Sequence, residues 1–109
     1  VDVAGLANVY EQIRLFSVDK KIERVIVLYL PSFDRYAGSK RTKSFYNEVV
    51  SHVERIAISK GFVFFDVNQL FEDTFSDPRE AFPFRRPGHY TVEANKQIHN
   101  GVLTLLTIN

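Results

Sequence analysis

The residues of this chain best suited to chemistry fall in "RRPGHYTVEAN", residues 85–95, where one histidine, His89, stands between a Pro-Gly turn and a run of helical character. Thr91 reads as a helix N-cap and Glu93 as a first-turn acid, so His89 lies just outside a helix amino terminus. The positive pole of that helix disfavours the imidazolium, and a neutral imidazole is what a general base must be near neutrality. Pro87 and Gly88 turn the chain tightly and fix the direction in which the ring is presented. The bland alternative is a loop histidine that donates to a nearby carbonyl.

Few other side chains could share work with it. Ser32 directly follows an apolar run, a place where α/β enzymes often carry nucleophiles. Yet "LPSFD" lacks the glycines of a strained nucleophile elbow, and Ser32 reads equally well as a loop serine bonded to its own backbone. A histidine base needs an orienting acid. Asp77 and Glu80 precede it in the loop, Asp73 ends a short helical stretch, and Asp77 is the candidate that a folded-back loop could bring into reach. Asp66 fits better as the cap of the helix that follows it. Two basic groups, Lys40, Arg41 and Lys43 in one loop and Arg85 and Arg86 in another, could bind an anionic part of a substrate or form a solvated surface. His52 and His99 have no ligand spacing to His89, so neither a metal site nor any other cofactor is implied.

These residues must be positioned by a small set of elements. "VAGLANVYEQIRLF" (3–16) places Val3, Leu6, Tyr10 and Ile13 at helical spacing. "RVIVLYL" (24–30) and "FVFFDV" (62–67) are unbroken apolar runs of strand length, the pattern of strands buried on both faces of a parallel sheet. Phe62, Phe64 and Phe65 read as core. Between the runs, a polar loop (32–41) leads to Thr42 as N-cap and a helix over 43–59, closed by Gly61 in the left-handed conformation. Strand, helix, strand is a βαβ unit, which predicts a right-handed crossover. A short helix over 68–73, a loop with Pro78, Pro83 and Pro87, and a last helix over 92–106 complete the chain, with Gly101 weakening that helix by about 1 kcal/mol relative to alanine.

The block "GHYTVEANKQI" (88–98) resembles the last conserved motif of the SGNH, or GDSL-type, esterases and lipases, in which Gly-His-Tyr-Thr-x-Glu-Gly opens the final helix. A strand ending in Pro-Ser, a long helix and an aromatic strand ending in Asp are also similar to the second half of that family. The resemblance implies a three-layer α/β/α sandwich of flavodoxin-like shape, with His89 as the base of a catalytic triad. It further implies an ester-bearing small molecule, lipid or glycan as substrate. The family's Gly-Asp-Ser nucleophile block has no counterpart in residues 1–109, and the positions where the triad acid normally stands hold Arg86 and Pro87. Loss of that acid is worth about four orders of magnitude in turnover in the well-studied serine proteases.

Composition narrows the alternatives. At 109 residues the chain is one domain at most, with 45% hydrophobic and 25% charged residues, as in ordinary globular proteins. A net charge of +1 gives no electrostatic case for a nucleic-acid partner. Absence of cysteine excludes disulfides and thiolate metal sites, and no apolar run is long enough for a membrane span. Because the chain begins at Val1, lacks methionine and carries only two strand-like runs, further strands are expected upstream in the parent protein or from another chain. With the resemblance of the GHYTVEANKQI block, the leading expectation is the carboxyl-terminal segment of an SGNH-type ester hydrolase or O-acyl transferase, inactive alone. The alternatives are a non-catalytic binding or structural module of that fold, and an unrelated flavodoxin-like partner domain in which His89 is incidental.

Overall fold

Two strands, Ile26–Tyr29 (β1) and Val63–Asp66 (β2), pair in parallel with Ile26 beside Val63 and Tyr29 beside Asp66. The computed structural model describes residues 2–107, and among these the pair forms the whole sheet. Both strands are shorter than the apolar runs that contain them, and every residue in them is half-buried rather than buried. With only two strands, each has one unpaired edge, so neither reaches the burial that an interior strand of a wider sheet would have.

The first helix, Val3–Asp19 (α1), is capped by Asp2, whose carboxylate accepts from the Gly5 N–H at 2.8 Å. A four-residue helical turn, Asp34–Ala37 (α2), follows β1 where the polar sequence predicts only loop. The long helix, Lys40–Ser59 (α3), begins earlier than the sequence reading has it. Ser39, not Thr42, is its N-cap, with the Ser39 hydroxyl accepting from the Thr42 N–H at 3.3 Å. That hydroxyl stands three residues before the amide it serves, so Lys40 and Arg41 fall in the first helical turn instead of the loop. At the other end Gly61 adopts φ +80°, the left-handed terminator that glycine tolerates without strain.

Asp66 ends β2 and caps Val67–Thr74 (α4), accepting from Asn68 N–H at 2.9 Å and Gln69 N–H at 3.4 Å. Two 3-10 turns, Pro78–Ala81 and Pro83–Arg85, then lead to the final helix, Val92–Thr107 (α5). Thr91 caps α5 as its sequence predicts, its hydroxyl accepting from the Ala94 N–H at 3.1 Å. Gly101 does not end the helix. A Cβ there would stand 2.5 Å from Cζ of Phe65, so glycine is what lets α5 lie close against β2.

The chain is thus of the α/β class, with a parallel βαβ unit flanked by helices. Its main core joins Val67 and Phe71 of α4, Ala81 and Phe82 of the 3-10 turns, and Ala94 of α5, with Leu28 and Phe65 of the sheet packed against them. Phe71 and Phe82 are fully enclosed, each worth roughly 2–3 kcal/mol of burial. Of the three predicted core phenylalanines, Phe62 is buried, while Phe64 and Phe65 are half-buried in the sheet. Phe62 also meets the ring of Tyr10, tying α1 to the strand entrance. No described helix is long and apolar enough to cross a membrane.

Candidate functional site

At the carboxyl end of β1 the chain runs Leu30-Pro31-Ser32-Phe33 into α2, and this segment forms one wall of a cleft of about 630 Å³. The segment Pro87–Tyr90 forms another wall, and Asn95 of α5 also lines the cleft. Position at the carboxyl ends of parallel strands is where open α/β sheets place their ligands.

Two hydrogen bonds and two ring contacts hold the histidine wall. The Tyr90 hydroxyl donates to the Pro31 carbonyl at 2.6 Å, bridging the two walls across 59 positions of sequence. The Thr91 N–H donates to the Ala81 carbonyl at 2.8 Å, which fixes the start of α5 on the first 3-10 turn. Around these, the Tyr90 ring packs edge-on against Phe71 and Phe82, with centroids 5.1 and 5.3 Å away. Burial raises the Tyr90 hydroxyl to about 12, consistent with a phenol kept as a donor. Gly88, at φ +146°, supplies the backbone freedom that the Pro-Gly sequence predicts.

His89 itself is exposed to the cleft, and its Nδ1 lies 2.9 Å from the Tyr90 carbonyl oxygen. A carbonyl only accepts, so this hydrogen bond requires Nδ1 to carry the proton. In the neutral ring Nε2 is then left as the acceptor, the form a general base needs. The ring thus donates to a carbonyl, as a loop histidine does, while lining a cleft.

The structure brings some of the other candidates to this cleft and keeps others away. Ser32 lines it, exposed, with its hydroxyl donating to Tyr46 Oη at 3.4 Å; among the described residues no hydrogen bond joins Ser32 to His89. Asp77 lies elsewhere. It caps the first 3-10 turn through the Arg79 N–H at 3.0 Å and pairs with the Arg79 guanidinium at 2.7 Å. The Arg79 side chain, with help from its backbone N–H, holds the Asp77 carboxyl down to about 2. Arg85 pairs with Glu80 at 3.3 Å, and neither Arg85 nor Arg86 lines the cleft. Asp66 serves α4 as its cap, and Asp73 accepts from the Gln69 amide at 3.0 Å.

Two polar lining residues were not singled out from sequence. Asp34, the first residue of α2, is the carboxylate that the cleft itself contains, and Asn95 contributes an amide from the first turn of α5. Neither has a local signature; "FD" after Pro-Ser reads as loop until α2 folds it back. Phe84 was also missed. It is 91% exposed with φ +57°, a conformation that costs a non-glycine residue roughly 1–2 kcal/mol, and it sits two positions from the cleft-lining Phe82.

Among the described residues no group of three His, Cys, Asp or Glu is arranged to hold a metal ion. Comparison of the chain with protein-family models, with curated proteins and with solved structures finds no match.

Proposed function

We propose that the chain supplies the histidine-bearing side of an ester-cleaving or acyl-transferring site of the SGNH type, within a three-layer flavodoxin-like sandwich. The observation that carries this reading is the setting of His89: a ring with Nδ1 committed to the Tyr90 carbonyl, facing a cleft at the carboxyl end of a parallel strand. In this scheme a serine hydroxyl attacks the ester carbonyl and His89 Nε2 takes its proton. The same nitrogen then returns the proton to the leaving alkoxide. The Tyr90 carbonyl performs the tautomer control that a triad acid normally provides. In this scheme Asp34, the carboxylate that lines the same cleft, takes the part of counter-charge to the imidazolium, whereas Asp77 is neutralised by Arg79. The nucleophile comes from a Gly-Asp-Ser-bearing segment outside residues 1–109 whose strands continue the sheet from an open edge, in the same chain or a partner chain. The substrate is an ester-bearing small molecule, lipid or glycan.

Fluorophosphonate labelling with mapping of the modified serine tests the proposal on the protein expressed from its full reading frame. The expected result is one labelled serine outside residues 1–109, with labelling slowed at least a hundredfold by His89→Ala. Labelling that ignores this substitution removes His89 from the role of base, and labelling of Ser32 moves the nucleophile inside the segment.

A second reading is favoured by Arg86 and Pro87 in the usual acid positions and by the engagement of Asp77 with Arg79. It makes the chain a non-catalytic module whose cleft binds without turning over. Folded protein that resists labelling while still binding an acetylated or acylated ligand is the outcome it predicts.

A further inference from the structure

Arg35 is the most buried charged side chain described, with 7% of its surface exposed, and it forms no ion pair among the described residues. Its Nη1 donates to the Tyr29 hydroxyl at 3.2 Å and its Nη2 to the Asn47 side-chain oxygen, both neutral acceptors. The guanidinium also lies 5.6 Å from the centre of the Tyr29 ring. A buried cation without a counter-charge is an expensive arrangement unless an anion is part of the working state. Five N–H donors make up a guanidinium, and these two contacts leave others unassigned.

Arg35 lines a second cavity of about 470 Å³, separate from the His89 cleft, together with Lys43, Asn47, Glu72, Asp77 and Arg79. Arg79 and Asp77 neutralise each other at 2.7 Å. Arg35, Lys43 and Arg79 set against Glu72 and Asp77 leave one positive charge in excess around the cavity, and Glu72 forms no ion pair among the described residues. Lys43 belongs to the opening turns of α3, whose amino-terminal dipole adds to the positive potential there. Of the two basic groups visible in the sequence, this one contributes a side chain to a cavity, while Arg85 turns to Glu80.

We infer that this second cavity is a binding site for one oxyanion group, a carboxylate or phosphate of a small molecule. Arg35 is its buried fork and Lys43 its exposed point charge. The assignment is independent of the ester-cleaving reading, since none of these residues faces His89.

Titration of the protein with inorganic phosphate and, separately, with acetate tests the inference. Amide and arginine side-chain NMR signals are followed at constant ionic strength, with sodium chloride as the third arm. Saturable shifts centred on Arg35, Lys43 and Asn47 are expected with at least one oxyanion, and the preferred arm tells phosphate from carboxylate. Lys43→Gln, at an exposed position, is expected to weaken that binding about threefold while leaving the fold intact. Arg35→Lys is expected to weaken it about tenfold or more, because a point charge cannot reproduce the fork. Shifts equal in all three arms, or phosphate and acetate affinities unchanged in Lys43→Gln, overturn the site.

Discussion

The Tyr90 hydroxyl donates to the carbonyl of Pro31 at 2.6 Å, and this contact joins the end of the first strand to the loop that presents His89. Pro31 is itself among the fully buried residues, so its carbonyl depends on Tyr90 for a partner. Tyr90→Phe keeps the ring packing against Phe71 and Phe82 but leaves that carbonyl unpaired. The expected destabilisation is about 1–3 kcal/mol, read from the urea midpoint at unchanged m-value. A midpoint within error of the parent would mean that the walls are joined by packing alone.

The same residue sets an alkaline limit. Burial raises the Tyr90 hydroxyl from 10.0 to about 12, and it raises that of Tyr36 as well. A folded-state value above the unfolded one favours the protonated folded form, so this stability is fully present below pH 10 and is lost as pH rises through about 12. Tyrosinate absorbance is expected to climb steeply together with loss of the circular dichroism of the fold. Tyr90→Phe should shift that coupled step, whereas a smooth tyrosine titration with the fold intact would contradict the assignment.

Acid behaves in the opposite sense at Asp77. Its carboxyl is held by Arg79 at about 2 against an ordinary 3.8, so its contribution is present above 3.8 and lost as pH falls toward about 2. Asp77→Asn is expected to lower stability at neutral pH and to flatten the acid limb of the stability profile. Parallel acid limbs for the two proteins would show that the pair with Arg79 does not form in solution.

Gly101→Ala distinguishes helix propensity from packing. Alanine gains roughly 1 kcal/mol as a helix former, but its methyl would meet the Phe65 ring at 2.5 Å. Overpacking of this kind typically costs about 1–3 kcal/mol, so the substitution is expected to lower the melting temperature. A higher melting temperature would mean that α5 does not lie against the Phe65 ring at this distance.

Much of this arrangement could be read from local sequence because the signals were local. Thr91 and Asp66 act as caps through amides two or three residues away, Gly61 closes its helix by its own φ, and the apolar runs around 26–29 and 63–66 pair in parallel. The start of α3 was misread because Ser39 and Thr42 both have capping chemistry, and only the backbone geometry shows which hydroxyl faces a free amide. The cleft partners of His89 were beyond reach for a different reason. Asp34 lies 55 positions before His89 in the chain, and no periodicity links residues that meet only after the loop at 82–91 folds back onto Pro31. Arg35 was invisible for the same reason: its burial depends on Tyr29 and Asn47, which belong to β1 and α3.

The Tyr90 carbonyl, 2.9 Å from His89 Nδ1, requires the proton on that nitrogen and leaves Nε2 bare in the neutral ring. Nitrogen-15 NMR of the histidine side chains, recorded where the ring is neutral, reads that tautomer directly. The expected result for His89 is a protonated Nδ1 and a bare Nε2. A protonated Nε2 would leave the cleft without a base and would contradict this placement of the proton.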